Sequence, residues 1–238
     1  MEKVYIVGAG PGDPDLITVK GRKLLEKADV LIYAGSLVNP ELTEASPAPE
    51  KYDSWGMKLE ELAEIMVDAA KAGKTVVRLH SGDPALYGAI VEQVAILEKH
   101  GIAVERVPGV SSMFGAAAGL KTQLTLKGVS DSVIITRPAG ATLEKDKIRE
   151  MSRLGTTMVI FLGTEHMEKV FSEVECPPET PAAVVYRATW PDEMIIRGTV
   201  SDVAEKARAA GIEKTALIII GDVVNAVGSS YTNSDLYG

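Results

Sequence analysis

The 238-residue chain carries 25 Lys and Arg against 33 Asp and Glu, a formal charge of −8, and 46% of its residues are hydrophobic. This composition is typical of a globular protein with its own core, and the negative balance argues against nonspecific binding to nucleic acid or to an anionic membrane. The single Cys176 excludes an intramolecular disulfide framework and a metal site built from several cysteines. A single cysteine suits a reducing compartment, and no apolar stretch approaches the roughly 20 residues that a membrane span needs. We therefore expect a cytoplasmic protein with no metal site and no membrane span.

Short apolar runs alternate with helical patterns in the first half of the chain. The periodicity predicts strands over residues 4–7, 30–33, 75–79 and 103–107, and helices over residues 19–27, 59–70 and 85–99. Strand–helix alternation of this kind predicts a mainly parallel sheet that is covered by helices on both faces.

The pattern changes after an Ala/Gly-rich segment over residues 109–128. Further strands are predicted over residues 132–136, 157–161, 182–186, 194–200 and 216–220. The third and fourth of these are joined by a Pro-containing turn, which predicts an antiparallel component. The fold class is therefore predicted as α/β with two domains, residues 1–118 with a mainly parallel sheet and residues 119–238 with a mixed sheet.

A glycine-rich turn, GAGPGD over residues 8–13, follows the first predicted strand. Its placement is that of a dinucleotide-binding loop, but its glycines are spaced G-x-G-x-G and not G-x-G-x-x-G. Pro11 removes a backbone donor, and Asp13 brings a negative charge to the position of a phosphate. No acidic residue follows the second strand to hold a ribose. The turn therefore argues against a nicotinamide or flavin site, and it is interpreted either as a tight structural turn or as part of a ligand crevice.

Two further loops follow predicted strands in the same way. HSGDPALYG occupies residues 80–88, and VPGVSS occupies residues 107–112. Because the carboxyl ends of parallel strands meet at one edge of a sheet, where open α/β sheets bind their ligands, the three glycine-bearing loops are expected to converge.

These residues resemble the tetrapyrrole methylases, a family that uses S-adenosylmethionine. The motifs of that family are GxGPGD with LIT(V/L)KG, a GDP-x-x-YG loop and a PG(V/I)(S/T)S segment. The chain carries GAGPGD, LITVKG, GDPALYG and PGVSS in the same order, and the resemblance runs through to Gly221. It implies two α/β domains with the cofactor in the cleft between them, a homodimer, and a small tetrapyrrole or corrinoid substrate.

Four longer stretches narrow the resemblance within the family: YAGSLVNPEL, VVRLHSGDPALYGAIVEQ, TRPAG and YRATWPDEMIIRGTV. They are similar to the branch that methylates carbon 11 of precorrin-4 or its cobalt complex in cobalamin biosynthesis, so the resemblance implies that reaction. The uroporphyrinogen branch usually carries an Asp where this chain has Ala34, which argues against it.

The resemblance also implies the residues that contact S-adenosylmethionine. Matched motif by motif, they are Pro11, Ser81, Gly82, Asp83, Leu86, Ser111, Ser112, Leu162, Ala188, Thr215 and Ala216. For Asp83 the alternative is capping of the helix that follows, a position at which Asp is common.

The substrate macrocycle implied by the resemblance carries several carboxylates, so local cations are expected to bind it. The candidates are Lys20, Arg22, Arg78, Lys127, Arg137 and Arg187. Arg137 and Arg187 are favoured because they follow predicted strands. His80 is a candidate for general acid–base chemistry, although a hydrogen bond to backbone at a strand end is the favoured interpretation.

Three other functions stay open on the sequence. The chain could be a methylase of the same family that acts at another corrinoid or porphyrinogen position. It could be a nicotinamide-dependent oxidoreductase built on the glycines of residues 8–12, which the missing ribose acid disfavours. It could also be a non-enzymatic module that binds a tetrapyrrole or a nucleoside.

Overall fold

The computed structural model describes residues 3–140, 143–226 and 231. The chain forms two compact units, Met1–Ser112 and Met113–Gly238, and each has its own sheet.

The first unit is built on a sheet of five strands. They are β1 (Lys3–Gly8), β2 (Val30–Tyr33), β3 (Glu50–Asp53), β4 (Val76–His80) and β5 (Ala103–Val107). The spatial order is β3-β2-β4-β1-β5, and every pairing is parallel. The predicted parallel sheet is therefore confirmed.

Four helices cover this sheet on both faces. They are α1 (Val19–Leu25), α2 (Pro40–Ala45), α3 (Leu59–Lys71) and α4 (Ile90–Lys99). Leu25 of α1 and Leu42 of α2 pack in one cluster with Val77, and Met66 of α3 packs in another with the neighbouring Val76. Since successive strand residues point to opposite faces, α1 and α2 cover one face and α3 covers the other.

The strand order places the carboxyl ends of β1 and β4 side by side at a point where the chain direction diverges. From β1 the chain goes to β2 on one side, and from β4 it goes to β5 on the other side. Ligands of open α/β sheets bind in the crevice at such a point. The usual dinucleotide-binding order is 3-2-1-4-5-6, whereas here β4 is inserted between β2 and β1.

The second unit contains a mixed sheet of five strands and its own helices. They are α5 (Ser112–Gly119), β6 (Val133–Thr136), α6 (Ile148–Ser152), β7 (Thr157–Ile160), α7 (Met167–Glu173), β8 (Pro181–Tyr186), β9 (Met194–Thr199), α8 (Val203–Ala209) and β10 (Ala216–Ile220). The spatial order is β6-β7-β10-β8-β9. Among the described strands of this second sheet, only β6 and β7 pair in parallel. The predicted antiparallel component is confirmed.

One predicted helix begins later than expected. The apolar spacing predicts a helix over residues 85–99, but α4 begins at Ile90. Tyr87 and Ala89 have left-handed backbones, with φ of 54° and 45°. Gly88 lies so close to Pro84 that a Cβ on it would be 2.2 Å from the Pro84 carbonyl oxygen. The tight chain path over residues 84–89 therefore prevents helix formation there.

Candidate active site

The three predicted loops of the first unit meet at close backbone approaches. A Cβ on Gly8 would lie 2.5 Å from the Gly109 Cα and 2.7 Å from the Gly82 carbonyl oxygen. A Cβ on Gly109 would lie 2.2 Å from that same oxygen. Only glycine fits at these two positions, because neighbouring backbone atoms cannot move aside as a flexible side chain can. The expected convergence of the loops is therefore present in the structure.

Backbone hydrogen bonds join the first loop to the second. Ala9 N–H donates to the His80 carbonyl oxygen at 2.7 Å, and Gly82 N–H donates to the Gly10 carbonyl oxygen at 2.8 Å. Gly10 and Gly82 form an isolated bridge and both have positive φ, 85° and 62°. A positive φ suits glycine, which has no Cβ to clash. The first loop is thus a tight structural turn held against the second loop, and its part in ligand binding stays a prediction.

Asp83 links the second loop to the third. Its Oδ1 accepts a hydrogen bond from Ala85 N–H at 2.7 Å, and its Oδ2 accepts one from Gly109 N–H at 2.8 Å. The alternative that Asp83 caps the next helix is wrong, because Ala89 is the residue that precedes α4. The carboxylate instead closes a local turn and holds the loop that carries Gly109.

The other predicted cofactor positions of the first unit lie in the same loops. Pro11 and Ser111 are buried, whereas Ser81, Leu86 and Ser112 are half-buried. Because these loops meet at Gly8, Gly82 and Gly109, the structure brings the predicted positions of this unit to one sheet edge. Their contacts with a cofactor stay a prediction.

His80 ends β4 with its imidazole directed at the backbone of its own loop. Its Nδ1 lies 2.7 Å from the Ser81 carbonyl oxygen, so this nitrogen carries the proton and donates. Burial lowers the pKa of His80 below its ordinary value, and the nearby charge of Arg78 acts in the same direction. The imidazole is therefore neutral at neutral pH. The hydrogen bond is the one expected for the structural role, and an acid–base role stays a prediction.

Asn39 supports the first loop, and the sequence analysis missed it. Its Nδ2 donates to the Gly12 carbonyl oxygen at 2.8 Å, and its Oδ1 accepts from Glu41 N–H at 3.0 Å at the start of α2. The side chain is buried. The Asn-Pro-Glu sequence is a recognisable helix start, which could have indicated the cap but not the bond to the loop.

The predicted positions of the second unit also share one sheet edge. Leu162 lies just after β7, Ala188 just after β8, and Thr215 and Ala216 at the start of β10. Strand β10 pairs with both β7 and β8, and Ala216 lies opposite Tyr186. Sheet register therefore gathers these four positions, although they are far apart in sequence.

Left-handed backbones concentrate in these loops. Of the seven described non-glycine residues with positive φ, six lie in the loops that carry predicted positions. They are Tyr87, Ala89, Leu162, Arg187, Thr189 and Thr215. Each such residue costs about 1–3 kcal/mol and persists where its surroundings impose it, often at functional sites. Leu162 is also 63% exposed, which is unusual for a large apolar side chain in a strained turn.

The candidate substrate-binding arginines lie in different environments. Arg78 is only 6% exposed within β4, and its Nε has no hydrogen-bond partner among the residues that the structure describes. Burial lowers its pKa to about 10. Arg137 is half-buried just after β6, at the same edge as Leu162. Arg187 makes an ion pair with Asp192, with Nη1 2.5 Å from Oδ2.

Within residues 3–140 and 143–226 and at residue 231, no group of three or more His, Cys, Asp and Glu side chains is placed to hold a metal ion. In the same part of the chain no helix combines the length and the apolar character needed to cross a bilayer.

Comparison with known proteins decides the family. The family model of the Tetrapyrrole (Corrin/Porphyrin) Methylases matches residues 3–204. This chain is a tetrapyrrole methylase. The resemblance found in its three loops is thereby confirmed. The methylase is 55% identical over 241 residues to the cobalt-precorrin-4 C(11)-methyltransferase of Methanocaldococcus jannaschii, a match that covers 99% of this chain and 92% of the relative.

Solved structures of the family share the fold of the methylase. An X-ray structure of a cobalt precorrin-4 methyltransferase, described as a cobalamin biosynthetic enzyme, matches with a TM-score of 0.90 and 46% identity, covering 94% of this chain and 96% of that one. The uroporphyrin-III C-methyltransferase of Thermus thermophilus, solved with S-adenosylhomocysteine, matches with a TM-score of 0.83 and 32% identity, covering 94% and 99%. The predicted fold class, α/β with a parallel and a mixed sheet, is confirmed.

Proposed function

We propose that this methylase transfers a methyl group from S-adenosylmethionine to carbon 11 of precorrin-4 or its cobalt complex in cobalamin biosynthesis. The observation that carries the proposal is the convergence of the GAGPGD, GDPALYG and PGVSS loops in a chain 55% identical, over nearly its whole length, to a protein named for this reaction. The Thermus thermophilus neighbour solved with S-adenosylhomocysteine supports the choice of cofactor.

Each of the two sheet edges, taken by itself, carries groups that suit part of such a cofactor. At the first edge, backbone groups and the side chains of Ser81, Asp83 and Ser112 offer hydrogen bonds to polar groups. At the second edge, exposed Leu162 offers an apolar surface to a flat ring. Glycine at positions 8 and 109 allows the three loops to meet at the first edge, because a Cβ at either position would clash with neighbouring backbone. We propose the eleven motif-matched residues as the contacts on these grounds.

Methyl transfer to carbon needs alignment more than a catalytic side chain. When bound, S-adenosylmethionine supplies the methyl group: its S–CH3 bond breaks as the bond to the ring carbon forms, and charge balance releases one proton from the macrocycle. The loops of the protein hold the reacting groups in near-attack geometry, which can contribute several kcal/mol, on the order of 7–11 at best. No covalent nucleophile and no metal ion is required.

The test is a product analysis with the purified chain. Incubation with labelled cofactor and with metal-free or cobalt precorrin-4 should give S-adenosylhomocysteine only when macrocycle is present, with the label at carbon 11 by NMR. Label at another carbon would support a sibling activity of the same family. Cofactor binding without turnover of either macrocycle would support a non-enzymatic module.

A nicotinamide-dependent oxidoreductase is the alternative from another class. The insertion of β4 between β2 and β1 and the absence of a ribose acid argue against it. Fluorescence titration with NADH should show no saturable binding. A micromolar dissociation constant for NADH would support the oxidoreductase instead.

Arg78 offers a test of substrate recognition. Burial of a guanidinium whose Nε has no partner among the described residues lowers the free energy of unfolding. An apolar side chain of similar volume often restores that stability. If Arg78 is present to bind a macrocycle carboxylate, Arg78→Met should raise the free energy of unfolding by about 1 kcal/mol and raise the KM for the macrocycle about tenfold, as loss of ~1.4 kcal/mol of binding would.

The matched control for Arg78 lies in the same row of the sheet. Arg106 pairs with Ile6 from the other side of β1 and is exposed. Arg106→Met should change the free energy of unfolding by less than about 0.5 kcal/mol and leave the KM unchanged. Denaturant unfolding and initial-rate kinetics measure both quantities, and an unaltered KM in Arg78→Met would remove Arg78 from the substrate site.

We further propose that the methylase acts as a homodimer, as its family resemblance implies, and in the cytoplasm, as its single cysteine suggests. Light scattering on the purified chain checks the first part, and cell fractionation checks the second.

A further inference from the structure

The segment of residues 187–193 holds an unusual backbone around a predicted cofactor position. Ala188 is buried, and both of its neighbours are left-handed, with φ of 45° at Arg187 and 70° at Thr189. A left-handed conformation is a clear outlier for a β-branched residue such as Thr189. A left-handed residue on each side fixes the direction of the Ala188 main chain.

Side chains of the same segment brace this backbone. The Arg187 guanidinium lies 3.9 Å from the centre of the Trp190 ring, and its Nη1 lies 2.5 Å from Asp192 Oδ2. Glu193 Oε2 accepts a hydrogen bond from Thr189 N–H at 2.7 Å. The guanidinium is therefore held on one side by an aromatic face and on another by a carboxylate, and its charge is already partnered.

Backbone hydrogen bonds tie the braced segment to the sheet edge. Arg187 N–H donates to the carbonyl oxygen of Thr215, and Trp190 N–H donates to that of Arg187, both at 3.0 Å. Thr215 is itself a left-handed residue and a predicted cofactor position. Movement of the Arg187 backbone would therefore disturb Ala188 and Thr215 together.

We infer that Arg187 is a positioning residue: its stack on Trp190 and its ion pair with Asp192 hold Arg187 and Thr189 in the left-handed conformations that position the backbone of Ala188 for the cofactor. This inference rests on the proposed function. It differs from the sequence expectation for Arg187, which was direct contact with a substrate carboxylate.

Glycine and alanine at position 187 separate the two roles. Both remove the guanidinium, but glycine adopts a positive φ without steric cost, whereas alanine does not. By calorimetry, Arg187→Ala should weaken S-adenosylhomocysteine binding about tenfold, and Arg187→Gly should stay within about threefold of the wild type. Asp192→Asn keeps the stack of Arg187 on Trp190 and loses the ion pair, so its dissociation constant for S-adenosylhomocysteine should lie between those of the two Arg187 variants.

A matched control removes an exposed arginine–carboxylate pair elsewhere in the second unit. Arg149 on α6 pairs with Glu175 at 2.9 Å, and Arg149→Ala should leave the dissociation constant unchanged. Unchanged binding in both Arg187 variants would overturn the inference. Equal weakening in both variants would also overturn it, because it would show that binding depends on the guanidinium charge and not on the backbone conformation. A wild-type chain that does not bind S-adenosylhomocysteine would instead overturn the proposed function, and the inference with it.

Discussion

Replacement of Gly109 by alanine should abolish measurable cofactor binding and destabilise the first unit. The new Cβ would lie 2.2 Å from the Gly82 carbonyl oxygen and 2.8 Å from the Gly8 Cα. Relief of these clashes requires the loops after β1, β4 and β5 to separate. We expect the free energy of unfolding to fall by about 3 kcal/mol, at the upper end of the usual cost of overpacking, and S-adenosylhomocysteine affinity to fall at least about 100-fold.

Gly101→Ala is the control for this substitution. Gly101 has a φ of 75° and no neighbouring atom within 4 Å of a built Cβ, so alanine there meets conformational strain but no clash. Its expected cost is about 1–2 kcal/mol of stability, with no change in affinity. Denaturant unfolding and calorimetry measure the two effects. If Gly109→Ala bound the cofactor like wild type, the close approach of the three loops would not matter for the site.

Removal of the Asp83 carboxylate should weaken cofactor binding with little change in the fold. The carboxylate accepts from Gly109 N–H at 2.8 Å and so holds the third loop against the second. Loss of such a charge-assisted bond costs about 1.5–3 kcal/mol, which corresponds to a loss of affinity of about 10- to 100-fold. Asp83→Ala should show the full effect, and Asp83→Asn, which keeps one acceptor oxygen, a smaller one.

Asp29 provides a control at the opposite edge of the same sheet. Its Oδ2 accepts a hydrogen bond from Thr75 N–H at 2.7 Å, just before β4 begins. Asp29→Ala removes a similar bond to backbone and should lower the unfolding midpoint without changing affinity. Equal affinities for Asp83→Ala and Asp29→Ala would mean that Asp83 serves the fold alone.

The fold could be predicted where local sequence and burial agree. The bounds of β2 and β10 match their predictions because both are short apolar runs bounded by polar residues or turns, and the bounds of β5 match although it contains Glu105 and Arg106. Strand β3 was missed because its sequence, Glu-Lys-Tyr-Asp, belongs to an edge strand that alternates half-buried and exposed residues and has no apolar run. Helix α4 was predicted to begin too early for a different reason. Its apolar spacing extends back through residues 85–89, which tertiary contacts keep non-helical.

The position of the candidate site could be predicted from the sequence, but the contacts between its side chains could not. The order of the three loops indicated a shared sheet edge, and the structure shows it. The roles of Asn39 and Asp192 depend on partners that only the fold brings near: the Gly12 carbonyl oxygen for one, and a guanidinium on the Trp190 ring for the other. The six left-handed non-glycine residues of these loops were also unpredictable, because none of them is asparagine or aspartate, which adopt this conformation more readily than other side chains.

The interior position of β1, between β4 and β5, has a consequence for biosynthesis of the protein. In the register, Val4 lies beside Val76 and Val104, so β1 has no sheet neighbour until β4 and β5 have been translated. Non-local pairing of this kind slows folding and leaves an unpaired apolar strand exposed in the nascent chain. The GAGPGD turn can therefore reach its final shape only late, and nascent chains arrested before β4 should be protease-sensitive and chaperone-bound.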